Sequence, residues 1–139
     1  MSLTHEERKT LVTYRVQRAH EVWAETKKII EDELWYAAAN RMYYSCYHMT
    51  TALLISHGYS ASTHAGVIRM LGMNFVLTGE ISQELNKFYV KLFELRQKGD
   101  YDDYISIGSA DILPLVDTAE EYMRTLEGII KRKQKDLQQ

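Results

Sequence analysis

Residues Asn40–Leu54 read NRMYYSCYHMTTALL. Within them Met42, Cys46, Met49 and Leu53 recur every three or four residues, the spacing at which one face of an α-helix meets a core. The same stretch places Arg41 and His48 seven residues apart. Seven residues turn a helix through about 700°, so the two side chains return to within roughly 20° of one azimuth. Tyr44 and Ser45 fall between them on that strip, and the apolar stripe lies about 100° away. The pattern predicts a core helix with a polar strip along one edge.

Working outward, the rest of the chain also reads as helix. Only one proline, Pro114, and seven glycines interrupt a sequence rich in helix formers. Thr4 with Glu7 has the form of a capping box and opens a first helix with Leu11, Tyr14, Ala19, Val22, Trp23, Ile29 and Ile30 on its apolar face. Asp32 is expected to cap the helix that carries Arg41 and His48, and Gly58 suits the left-handed position where that helix ends. A short helix, THAGVIRML, follows, with Ser62 or Thr63 as its cap. After the connection Gly72–Glu80, Thr78 is expected to cap a helix with Ile81, Leu85, Phe88, Leu92 and Leu95 on its stripe, ended by Gly99. A last helix is expected from Asp111, with Pro114 tolerated in the first turn. The expectation is an all-α fold: an up-and-down antiparallel helical bundle of four long helices plus one short helix, forming a single domain over 1–139.

Composition narrows the chemistry. A net charge of −2 argues against coating long nucleic acid, which calls for many basic contacts, so any such contact is expected to be local. Cys46 is the sole cysteine, which excludes an intramolecular disulfide and a cysteine-based zinc site. Asp100, Asp102 and Asp103 lack calcium-loop spacing and read as turn and cap residues. No metal and no cofactor are expected. The charged N-terminal segment does not read as a signal peptide, and no apolar run approaches the ~20 residues a membrane span needs. A cytoplasmic protein with no membrane partner is expected.

Arg41 and His48 carry the chemistry. Arginine presents a permanently charged fork to phosphate oxygens. Histidine titrates near neutrality and moves protons. Together they suffice to transesterify RNA without a metal. Spacing alone leaves open a structural pair, with Arg41 held by an acid and His48 hydrogen-bonded inside. Tyr44 and Ser45 are expected to position substrate, and His64 to border the site. Arg69, Arg96 and Lys98 read by default as solvated charge. Most of the ten tyrosines read as core, with Tyr44, Tyr101 and Tyr104 excepted. His5, His20 and His57 have no partner evident in the sequence.

NRMYYSCYHMTTALL, then STHAGVIRMLGMNFVLTGE and LFELRQKGDYDDY, resemble the HEPN domain family. The resemblance is most specific at Thr63, His64, Gly66, Val67, Phe75 and Gly79. It implies a helical bundle that dimerises. Many members are metal-independent ribonucleases whose motif is an arginine, four to six residues, then a histidine, which Arg41 and His48 fit with six between them. The residue after the arginine is usually polar in those members, whereas here it is Met42. Many members pair with a nucleotidyltransferase as toxin and antitoxin, and others bind nucleotides only.

Helix geometry points independently to a dimer. Seven residues rise about 10 Å, too far for one Arg–His pair to grip a single phosphate, so a two-fold partner is expected to supply a second pair. With what the resemblance implies, two functions are expected. One is a homodimeric protein that cleaves or binds single-stranded RNA, the toxin-like half of a nucleotidyltransferase-paired system. The other is a non-catalytic nucleotide-binding or partner-binding module.

Overall fold

A computed structural model describes residues 3–138. Helix α1 (His5–Glu31) begins with the expected capping box. The Glu7 N–H donates to Thr4 Oγ1 at 3.1 Å, and the Thr4 N–H donates to Glu7 Oε1 at 2.9 Å. A three-residue turn leads into α2 (Trp35–Ser56), short enough to fold the two helices back antiparallel. Asp32 does not cap α2. It closes α1, its N–H donating to the Lys28 carbonyl at 3.1 Å, and α2 starts at Leu34 with no side-chain cap. The turn instead places Glu33 at φ 58°, a left-handed conformation that folds the chain back.

Helix α2 is the axis of the molecule. It packs against α1, α3 (His64–Leu71), α4 (Gln83–Tyr101), α5 (Ser109–Ile112) and α6 (Val116–Gln138), and 13 of its 22 residues are buried, as expected of a helix apolar over most of its circumference. Met42, Cys46, Met49 and Leu53 are all fully buried, in line with their spacing. Burial disfavours the thiolate and pushes the Cys46 thiol up to about 12. Beyond α2, Gly58 takes the expected positive φ of 82°, a conformation open to glycine without a Cβ penalty.

Helix α3 (His64–Leu71) is capped by Thr63, whose Oγ1 accepts from the Gly66 N–H at 2.9 Å. It runs without a break into a π-helical turn, Gly72–Val76, where a plain connection was expected. That wider turn displaces the next start. Thr78 closes the turn instead, donating to the Asn74 and Phe75 carbonyls at 3.3 and 3.1 Å. Ser82 is the true cap of α4 (Gln83–Tyr101), accepting from the Leu85 N–H at 3.1 Å. Gly99 does not end α4, which continues to Tyr101. A Cβ on Gly99 would sit 2.8 Å from Ile107 Cδ1, so the glycine lets the following loop lie close on the helix.

The last helical segment arrives in three pieces. One turn, α5 (Ser109–Ile112), is fixed by Asp111 Oδ2 accepting from the Gly108 N–H at 2.9 Å. Asp111 thus acts one turn inside the segment, not as its cap. Pro114 sits in a 3-10 turn, Leu113–Leu115, because it has no N–H for an α-helical bond. Helix α6 (Val116–Gln138) completes the bundle. The fold is all-α, with α1, α2, α4 and α6 long, α3 short, and α5 an added turn.

The core is rich in tyrosine. Tyr89 stacks on Tyr122 with centroids 5.3 Å apart, and Tyr43 on Tyr89 at 5.8 Å. The Tyr122 hydroxyl bonds to Thr50 Oγ1 at 2.7 Å. Tyr14, expected on the apolar face of α1, is exposed, as is Tyr36. Val12 takes the inward place on α1. No helix among the described residues is long and apolar enough to cross a membrane.

Candidate functional site

The polar strip of α2 faces out between α1 on one side and α3 and α4 on the other. Arg41 and His48 are both half-buried, anchored on a core helix yet open to solvent. Arg41 is steered by the residue before it. Its Nε and Nη2 both donate to Asn40 Oδ1, at 3.1 and 3.0 Å. Asn40 Nδ2 in turn donates to Asp100 Oδ2 on α4 at 3.0 Å. The guanidinium also lies over the Tyr44 ring, 5.3 Å from its centroid, in cation–π range.

His48 meets α1. Arg15 Nη1 lies 3.1 Å from His48 Nδ1. A guanidinium can only donate, so Nδ1 must accept and the ring proton of the neutral imidazole sits on Nε2. Burial, then Arg15, Arg18 and Arg41, hold the His48 pKa down at about 4, below its usual 6.5. The charges that lower it are all positive. Among the described residues neither Arg15 nor Arg41 makes an ion pair with a carboxylate. Arg18 reaches Glu21 at 3.8 Å, a surface contact of little energetic weight.

Tyr44 is half-buried and packs against the core at the strip's outer edge. Its hydroxyl accepts from Arg96 Nη2 at 2.9 Å. Arg96 lies 3.1 Å from Asp100 Oδ2 through its Nε, close enough for an ion pair although the N–H is not aimed for a hydrogen bond. Arg96 is no solvated surface charge: its side chain is 11% exposed and its guanidinium also lies over Tyr43 and Tyr101. His64 borders the strip, with Nδ1 2.7 Å from the Tyr43 hydroxyl and its ring against Tyr47 at 4.9 Å. Burial, then Arg96, lowers its pKa.

Ser45 does not join the strip. It is fully buried, and its hydroxyl donates to the Met42 carbonyl at 2.8 Å. Its azimuth lies about 40° from Arg41 toward the core stripe, whereas Tyr44 lies about 60° the other way. That difference turns Ser45 inward and Tyr44 outward. Met42 is likewise sealed in the core, so the polar neighbour of Arg41 is the residue before it, Asn40, and not the one after.

Arg15, Asn40, Arg96 and Asp100 complete the site, and three of them come from other helices. The sequence carries a faint signal for Arg15. With Arg18 it places two arginines on one face of α1, directly beside apolar positions. Among the described residues no three His, Cys, Asp or Glu side chains gather as a metal-binding group.

The arrangement offers a cationic strip around a neutral imidazole, with aromatic faces alongside: among the described residues Arg15 and Arg41 have no carboxylate partner, and Arg18 has only its surface contact to Glu21. Such a strip suits a phosphate-bearing ligand. Comparison with known proteins gives the chain its relatives. A UPF0332 protein of Thermotoga maritima is 32% identical over 125 residues, covering 90% of this chain and 95% of that protein. A Methanocaldococcus jannaschii protein named as a candidate toxin is 35% identical over 86 residues, 62% of this chain and 64% of its own. A second candidate toxin of that organism is 28% identical over 92 residues, 66% of this chain and 63% of its own. The description of the HEPN domain matches residues 12–136. With that match over nearly all of the bundle and the arginine and histidine spaced along its central helix, the chain belongs to the HEPN domain family.

Proposed function

We propose that this protein is a metal-independent endoribonuclease of the HEPN type, a cytoplasmic homodimer acting on single-stranded RNA. One observation carries the reading: half-buried Arg41 and Arg15 place positive charge about the neutral His48 ring, and among the described residues neither has a carboxylate to neutralise it. Desolvated positive charge left uncompensated is costly unless an anion completes it. In the reaction the ribose 2′-hydroxyl attacks phosphorus. His48 takes the hydroxyl proton, the O2′–P bond forms, and the P–O5′ bond breaks. The 5′-oxygen leaves and takes a proton from solvent water, giving a 2′,3′-cyclic phosphate and a 5′-hydroxyl. Arg41 stabilises the charge that builds on the non-bridging oxygens. Tyr44 and His64 position the strand, and Tyr47 offers a face on which a base can stack.

The dimer places two such strips about a two-fold axis, since one Arg–His pair spans too much helix to hold one phosphate alone. A stable interface of this kind buries roughly 1,200–2,000 Å². The physiological setting that fits the two relatives named as candidate toxins is a toxin-like role beside a nucleotidyltransferase partner.

A second reading is favoured by one contact. Arg15 occupies the Nδ1 lone pair of His48, which suits a module that binds a nucleotide or partner without cutting RNA. One experiment separates the two. Purified protein incubated with single-stranded RNA in EDTA should leave 2′,3′-cyclic phosphate ends and spare the 2′-deoxy analogue. A protein that cuts nothing, yet binds a nucleotide and loses that binding in Arg41→Ala, establishes the second reading. A monomer in sedimentation at micromolar concentration removes the composite site.

A further inference from the structure

Arg15 does more than add charge. We infer that Arg15 is a ligand-responsive positioning residue: it caps His48 Nδ1 in the free protein, and a phosphate-bearing strand draws it away and releases that nitrogen. The choice of ligand rests on the reading proposed above; the capping of His48 does not.

Three observations support this. First, with Nδ1 accepting from Arg15 at 3.1 Å and the ring proton on Nε2, the imidazole has no lone pair left for a substrate hydroxyl. The free protein holds its proton acceptor idle. Second, Arg15 is weakly satisfied where it sits. Its Nε is buried without a partner, and its bond to His48 is made by a full positive charge to a neutral acceptor. A phosphate diester offers the same guanidinium an anionic acceptor and a second oxygen for the fork, a stronger pairing. Third, the charged groups facing His48 are Arg15 and Arg18 from α1 and Arg41 from α2, with the neutral Tyr47 ring 6.0 Å away. An incoming phosphate is the first negative charge at this ring, and it favours the protonated form.

Ligand and activation are thereby linked. The strand that is to be cut frees the base by attracting the residue that blocks it. A mononucleotide held only by Arg41 leaves Arg15 in place, so the device selects a ligand long enough to reach α1.

The test follows the His48 ring itself. Full-length protein with ¹⁵N-labelled histidine is titrated by long-range ¹H–¹⁵N correlation, with and without a short 2′-deoxy oligonucleotide that binds but offers no 2′-hydroxyl. In the free protein His48 should be the Nε2–H tautomer with a midpoint near 4. Bound oligonucleotide should raise the midpoint by about 1–3 pH units, the range for an adjacent opposite charge, and should abolish the pure tautomer signature. Arg15→Met should raise the free-state midpoint toward the ordinary 6.5, mix the tautomers, and shrink the further response to oligonucleotide. If Arg15→Met does not fold, the wild-type comparison decides alone. An Nδ1–H tautomer in the free protein overturns the inference. So does a bound complex with tautomer and midpoint unchanged, or an oligonucleotide that does not bind. A protein that switches in this way yet cuts no RNA retains Arg15's role and loses the nuclease reading.

Discussion

Two arginines lie over the same tyrosine, each with its guanidinium carbon 5.3 Å from the Tyr44 centroid. Arg96 approaches from α4 and Arg41 projects from α2 itself. Arg96 lies beside a carboxylate, donates to the Tyr44 hydroxyl and is nearly buried. Arg41 has only a neutral amide and remains half-open. The ring contact is the same and the charge accounting is opposite. Arg96 is complete without a ligand and stiffens the scaffold. Arg41 is incomplete without one. On the function proposed above, compensation of charge, more than proximity or residue type, separates a structural arginine from a binding one.

The contrast can be broken most directly at the chemistry. His48→Ala should lower RNA cleavage by about 10²–10⁴ through loss of proton transfer. Arg41→Ala should lower it by about 10²–10³, by analogy with losing one oxyanion donor. Both variants should retain the wild-type melting temperature, because neither residue lies on the core stripe. Should Arg96→Met abolish cleavage while Arg41→Ala is silent, the assignment of the two arginines is reversed.

The opposite face of the same helix sharpens the comparison. Leu53 is fully buried, and Leu53→Ala should cost about 2–5 kcal/mol, read from the denaturant midpoint. Smaller still is the scaffold pair. Asp100→Ala removes the counter-charge of Arg96 and the anchor of Asn40, and should cost about 1–3 kcal/mol. Cleavage should fall less than in Arg41→Ala. A larger loss of activity than of stability in this variant would make Asp100 part of the functional strip.

The last effect expected is the response to acid. His48 is held neutral in the fold, with its pKa near 4 against 6.5 in an unfolded chain. Between those values the unfolded state binds the extra proton, so stability is retained above about 6.5 and declines as pH falls toward 4. His57 and His64 are lowered as well and act with the same sign. His48→Ala should flatten the slope of denaturant midpoint against pH in that window; an unchanged slope would place the acid sensitivity elsewhere.

What the sequence discloses here follows from the reach of helical periodicity. Met42, Cys46, Met49 and Leu53, the Arg41–His48 alignment, and the Thr4 and Thr63 caps all depend on residues within about three turns of one another. Those features are visible before any tertiary contact is known. Arg15 reaches His48 across 33 positions, Arg96 reaches Tyr44 across 52, and Asn40 reaches Asp100 across 60. Such pairs are set by how α1 and α4 dock on α2, and no local period encodes them. Ser45 marks the limit within a single helix, since a rotation of about 40° decides whether a small polar side chain meets solvent or a backbone carbonyl. The caps misread at Thr78 and Asp111 share a cause too. A π-turn and a proline-bearing 3-10 turn each shift the start of the following helix, and composition alone does not reveal where such turns fall.

The burial of Cys46 gives the molecule a built-in clock. Its thiol is wholly enclosed by α2's packing and its ionisation is suppressed, so a disulfide reagent can react only when that helix leaves the core. With one cysteine in the chain, the labelling rate of native protein counts those openings without a fluorophore or a mutation. At reagent concentrations where reclosing outpaces reaction, the rate reports the free energy of opening. Where reaction outpaces reclosing, it reports the opening rate itself. Ligand-bound and free protein can then be compared on one residue, and any strand that tightens the strip on one side of α2 should slow the chemistry of a sulfur on the other.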